Sequence, residues 1–266
     1  MTQLPPPPPP PPAVPPPPPP PVATAVAPRW RDQRGLTVAL VVLFGVMLCA
    51  AVVLSAALAN RISVVQDFKA GHFGDILTRA NDADDFVNGA SAFYGLTQLV
   101  IVVLFIIWQF RAAKNNEALD RPAPRFGPGW SIGAWFIPIA NLAIPVLIMQ
   151  DLWRGSTPTV PRGDPRWRSA KGSWLIGVWW AAWVISLLRF GANNAGLHDS
   201  GSLNDIETSN TIALVGVVAT AIAAVLAAFV VWTLSRRQLD ALRAQRSTYE
   251  GAYEGTFEGA PPASDA

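Results

Sequence analysis

The sequence predicts an all-α membrane protein: four transmembrane helices and one proline-broken helical segment, re-entrant or interfacial, between disordered termini. Three observations carry this. Charged residues make up 14% of the 266-residue chain against 51% hydrophobic residues, and they are absent from four long windows. The basic residues gather in short segments beside those windows, where they set orientation in a bilayer. A fifth apolar segment, 132–149, carries Pro138 and Pro145. The length would also suit one globular domain, but the distribution of charge decides for the membrane class.

Residues 1–28 form a proline-rich cytoplasmic head with uninterrupted proline runs at 5–12 and 15–21. Proline offers no backbone donor, so the head reads as disordered polyproline II, at about 3.1 Å per residue. It is either a stiff spacer or a ligand for a proline-binding cytoplasmic protein. Residues 29–247 are the helical membrane domain. Its first span, 36–59, follows Arg29, Arg31 and Arg34 and runs 24 residues without a charge, enough to cross about 30 Å of hydrocarbon. Ala57-Leu58-Ala59 resembles a signal-peptidase site. The apolar run far exceeds a secretory core of about 7–15 residues, so an uncleaved anchor is expected.

The segment 61–89 reads as a polar loop with a short helical pattern in Ile62, Val65, Phe68 and Ile76. Asp82, Asp84 and Asp85 read as caps at the start of the second span, 90–110, where carboxylates complement the helix dipole. That span ends in Trp108 and Arg111, an interfacial aromatic beside a charge. The third span, 174–190, is short, and Arg189 can snorkel to the headgroups. The fourth is 211–234, followed by a basic helical extension through Arg246. Residues 248–266 repeat an aromatic-Glu-Gly unit every four positions and read as an acidic, glycine-rich, disordered tail.

Charge decides what the fifth segment does. If it does not cross, 16 basic residues fall on one side and only Arg61, Lys69, Arg79 and Arg189 on the other, which the positive-inside rule assigns to cytoplasm and exterior. If it crosses, the division falls to 8 against 12. Four spans with both termini cytoplasmic are therefore expected. The prolines agree: each removes an intrahelical bond and drives Ile137 and Ile144 from helical geometry. Pro145 suits the first turn of a new helix. The broken segment, 130–154, is tolerated at membrane depth only where protein or water covers it.

Broken segments often mark binding sites. Trp130, Trp135 and Asn141 would face a pocket, with Pro138 and Pro145 shaping its backbone. Arg111 and Arg154 would stand at its cytoplasmic mouth. The alternative is a plug for the bundle, favoured by the lack of a charged residue inside the membrane. Trp179, Trp180 and Trp183 crowd the third span as packing or as a wall for a quinone or lipid. Gly216, Thr220, Ala224 and Ala228 form a small-residue ridge that permits close approach of another helix. Its partner is either the first span, through Gly45 and Cys49, or a second copy in a homo-oligomer. Cys49 itself reads as a packing residue. No catalytic set emerges, and no cofactor or metal is expected. Nucleic acid is excluded despite the net charge of +2 and pI near 9.0, because the basic residues serve the lipid bilayer.

The stretch 108–156 resembles an uncharacterised family of bacterial, mostly actinobacterial, membrane proteins, domain of unknown function 4328. The resemblance rests on Trp108, Arg111, Asn115, Leu119 and Gly129-Trp130. It continues through Trp135-Phe136-Ile137-Pro138-Ile139-Ala140-Asn141-Leu142, Pro145, Met149, Leu152-Trp153-Arg154 and Ser156. It implies a membrane domain from Arg29 to Leu234 in the bacterial plasma membrane, places Asn115 among the site residues, and brings no known activity. Two functions are weighed: a membrane scaffold recruiting partners through its head, and a small permease or lipid-binding protein using the broken segment.

Overall fold

Inside a bilayer nothing but the chain itself can satisfy backbone amides, so charge-free apolar runs fold as helices. The structure, a computed structural model, describes residues 29–194 and 202–258, with side chains at 29–186 and 202–248. The proline-rich head, residues 195–201 and residues 259–266 lie outside the described residues. Among the described residues every regular element is helical. Three helices are long and apolar enough to cross a membrane: α1 (Arg34–Lys69), α2 (Ile76–Ala118) and α7 (Leu203–Glu258). A shorter apolar helix, α6, runs from Trp174 to Asn194. Between α2 and α6 lie α3 (Trp130–Gly133), α4 (Pro138–Asn141) and α5 (Ile144–Gly155), followed by a 3₁₀ turn at Pro165–Ser169.

α1 is the centre of the bundle. It packs along α2 on one side and α7 on the other, and α7 packs on α6. The core between them holds Leu40, Phe44, Met47, Leu54, Phe105 and Trp108 with Val217, Val230 and Leu234. The outward faces are apolar as well: Val52, Leu96, Leu99, Val215 and Phe229 are all exposed. Helices apolar on both faces have no water-facing side, and this identifies a membrane-embedded bundle. Cys49 lies on that outer face, and a Cβ on Gly45 would meet nothing. This corrects the packing role expected of both. The ridge on α7 turns inward instead, with Gly216 and Ala224 buried.

Three further expectations are corrected. The polar loop at 61–89 is helical on both sides of a turn confined to 70–75, where Gly71 takes φ 82°, a left-handed conformation that favours glycine. α1 spans 36 residues and α2 43, about 54 and 64 Å, so both outrun a hydrocarbon layer of about 30 Å. Cross-helix pairs, Arg61 with Asp84 at 2.8 Å and Arg79 with Asp67 at 2.7 Å, stabilise the extension. Asp82, Asp84 and Asp85 therefore lie within α2, and Asp75 holds the N-cap position. The tail expected to be disordered from 248 is helical to Glu258.

The connector from α2 to α6 begins and ends at one end of the bundle. Asn116 donates to the Asp151 carbonyl at 3.4 Å. Gln150 clamps Ser173 by two bonds of 2.7 and 2.9 Å, joining the end of α5 to the start of α6. Arg121, 4% exposed, donates to the carbonyls of Gly155, Thr157, Val160 and Pro161 at 2.7–3.3 Å. Burial pushes its guanidinium below the ordinary value. Asp120 and Ala123 beside it take φ of 54° and 48°, strain that the surrounding bonds must hold. At Gly155 a Cβ would stand 2.3 Å from Asn116 Nδ2, so glycine lets α5 rest directly on α2.

Candidate functional site between α2 and α6

Among the described residues no Cα of α2 comes within 8 Å of a Cα of α6, so the two helices meet only through side chains. Side chains fill the gap. α3 is a single turn, and Trp135 just beyond it donates its indole N–H to Gln109 Oε1 at 2.8 Å. Gln109, fully buried on α2, donates in turn to the Pro145 carbonyl at 3.5 Å. One amide thus ties both arms of the connector segment to α2. Ile137 is extended at φ −102°, ψ 113°, Pro138 opens α4, and Pro145 stands in the first turn of α5. The Leu142 carbonyl accepts from Trp180 on α6 at 3.2 Å.

The indole of Trp135 sits edge-to-face against Phe105 of α2 at 5.8 Å and against Trp183 of α6 at 5.6 Å. Trp180 stacks on Trp183 at 4.6 Å, and Trp179 reaches Phe105 at 5.6 Å. The edge-to-face and stacked pairs are the arrangements that aromatic quadrupoles favour, each worth about 0.5–1.5 kcal/mol beyond burial. Above this cluster a cavity of about 60 Å³ remains, walled by Met47, Ile101, Phe105, Trp135, Trp179 and Ala224. Met47, Ile101 and Ala224 stand near the middle of their apolar windows, which puts the cavity near half depth. Val102, 39% exposed, lies on its rim, so the cavity opens on the apolar outer face.

Two polar side chains line it, Thr220 and Gln98. Thr220 donates to the Gly216 carbonyl at 2.8 Å. Gln98 is half-buried, and no hydrogen bond of its amide occurs among the described residues. Sequence reasoning missed Gln98 and Gln109. The signal was present, because they are the two amide side chains interrupting the apolar run 90–110.

Of the eight residues singled out from sequence, Trp135 alone lines this cavity. Asn115 is fully buried and holds the backbone of Arg31 from both sides, at 2.8 and 3.0 Å. Arg111 reaches the Asp32 carbonyl at 3.4 Å. Trp130 packs on Phe126 at the surface, and Pro138 is exposed. Asn141 is half-buried, its Oδ1 without a partner among the described residues. Pro145 is buried in α5, and Arg154 stands 3.5 Å from Asp151.

A second buried polar set, also missed, joins α1, α2 and α7. Gln33 donates to Gln238 at 2.7 Å, and Gln238 donates to the Ala112 carbonyl at 2.9 Å. Ser235 meets Thr37 at 2.8 Å and accepts from Trp108 at 3.0 Å. The α1 helix that shares these bonds lies outside the region that comparison with known families picks out. No curated protein and no solved structure matches the chain. The family match covers 76–236, from the first residue of α2 to the middle of α7 and through the whole connector, and by it the chain belongs to the family described as domain of unknown function (DUF4328).

Proposed function

We propose that the protein is a four-span plasma-membrane protein with cytoplasmic termini that holds the chain end of a hydrophobic lipid between α2 and α6. The observation that carries the reading is the gap itself: two helices kept apart by indoles, with a half-depth cavity open to the bilayer face. At about 60 Å³ the cavity is smaller than the engineered cavity of roughly 150 Å³ that binds benzene. It therefore suits an acyl or isoprenyl end entering sideways rather than a ring system. Gln98 is placed to meet one polar group on that chain.

The topology has support of its own. α6 has 21 residues, about 31 Å, so it matches the hydrocarbon thickness as a fourth span. The ties from Asn116 to Asp151 and from Gln150 to Ser173 bring both ends of the connector to one end of the bundle. That favours a re-entrant hairpin over a fifth crossing. The recruitment role concerns residues 1–28 and rests on their composition alone.

Ala224→Phe fills the cavity. Mass spectrometry of lipids extracted from the purified protein should show a retained hydrophobic compound depleted about ten-fold in the variant. Gln98→Leu, close in size to the native side chain, should change which compound is retained. An identical lipid complement in all three proteins, each still folded by thermal unfolding, would sink the reading.

A further inference from the structure

A separate groove lies where α1 and α7 enter their apolar windows. Its volume is about 220 Å³, and its walls include Trp30, Arg34, Val38, Trp232 and Arg236. Val38 and Trp232 are 52% and 41% exposed, so its apolar side faces the surroundings of the bundle rather than its core. The Arg236 guanidinium lies over the Trp232 ring at 5.0 Å, which fixes the charge directly above the apolar wall. Arg34 stands on the opposite side at the first residue of α1. Among the described residues neither guanidinium has a carboxylate within ion-pair distance.

Asp32 also lines the groove. Its Oδ1 accepts the backbone N–H of Arg34 at 3.0 Å. The floor is already satisfied, because Thr37 and Ser235 are bonded to each other and Ser235 to Trp108. A ligand therefore gains little from that floor. What the groove offers is an apolar slot below two cations, flanked by tryptophans of the interfacial kind.

We infer that this groove binds an anionic phospholipid, with the phosphate between Arg34 and Arg236 and an acyl chain along Val38 and Trp232. The bilayer at this depth supplies the occupant, and charge complementarity selects it. Two guanidiniums against one carboxylate favour a headgroup with net negative charge. A zwitterionic headgroup would bring its own cation against the arginines.

The test is native mass spectrometry of the full chain in detergent with equimolar phosphatidylglycerol and phosphatidylcholine. Phosphatidylglycerol should be retained in clear preference. Arg34→Gln with Arg236→Gln should reduce that preference by about five-fold per arginine. Both side chains are exposed, so the variant should keep its thermal unfolding temperature. A control pair elsewhere, Lys171→Gln with Arg246→Gln, should leave the preference unchanged. The inference fails if the native chain shows no preference or the control pair lowers it equally. It also fails if millimolar inorganic phosphate alone displaces the lipid, since the apolar slot would then contribute nothing.

Discussion

At the connector end of the bundle, α1, α2, α5 and α7 are tied by side chains that water scarcely reaches. Gln33, Asn115, Arg121 and Gln238 are at most 4% exposed, and each bonds a residue distant in sequence. At the other end, α1, α2 and the start of α7 are tied by charges in solvent. Arg61 and Asp84 keep 33% and 51% of their side-chain surface, and Lys69 and Glu207 keep 30% and 32%. The apolar cluster beneath them is small, built on Val64, Ile76 and Ala83. The two kinds of tie fix geometry to different degrees. A buried donor left unpaired costs about 1–3 kcal/mol, more when charged, whereas a solvated ion pair contributes about 0–1 kcal/mol. The connector end is therefore the firmly held frame that sets the α2–α6 gap, and the other end is a weakly tied stalk.

The largest effect is expected from asking whether the two ends of the bundle stand on opposite sides of a membrane. On a Cys49→Ala background, single cysteines at Thr159, Ser202 and Ser247 would be offered an impermeant thiol reagent in intact cells. All three native side chains are exposed. Labelling at Ser202 alone is expected, an all-or-none difference that puts the connector and the end of α7 inside. Labelling at Thr159 and Ser247 but not at Ser202 would mean that the connector segment crosses, and the assignment of sides would have to be abandoned.

The next largest effect is expected at Arg121. Its guanidinium answers four carbonyls of the connector, two of them at Val160 and Pro161. Arg121→Met keeps the apolar stem and removes every donor. A loss of about 3 kcal/mol is expected in detergent unfolding, with faster proteolysis at Arg162. Arg121→Lys should recover part of this, since one ammonium cannot reproduce a planar fork. A change under about 0.5 kcal/mol, within the range of ordinary surface substitutions, would show that the connector is held by packing alone.

The helical class and the membrane-embedded character were legible in the sequence because charge exclusion is a local property. The three long helices follow directly from charge-free windows. The helical extension of α1 and α2 was half legible: Ile62, Val65 and Phe68 repeat at helical spacing, but the pairs that stabilise it join residues 12 and 23 positions apart. Arg121 was legible only as one more basic residue beside a span. Its actual use, binding carbonyls 34–40 residues further along, depends on a loop whose shape no local pattern states. The site divides in the same way. Trp135 and the α6 tryptophans could be named from composition, but the cavity they wall required knowing that α2 and α6 stand apart. Gln98 was hidden because a single amide in an apolar run is read as tolerated rather than placed.

The smallest effect is expected at the stalk. Arg61→Ala removes the ion pair to Asp84 at 2.8 Å, yet both partners remain largely solvated once separated. Coulomb attraction there is reduced by water, and ordering a long side chain offsets part of what is left. A loss of less than about 0.5 kcal/mol is expected in low salt. It should vanish near 1 M salt, where the Debye length is only about 3 Å. Arg121→Met should show no such salt dependence, because its bonds are shielded from ions. The pair of measurements is therefore read as a ratio across salt concentrations rather than as two separate losses. If Arg61→Ala costs more than about 1 kcal/mol, or its cost survives high salt, the stalk is held as firmly as the connector end. The division between a firmly held frame and a weakly tied extension would then be wrong.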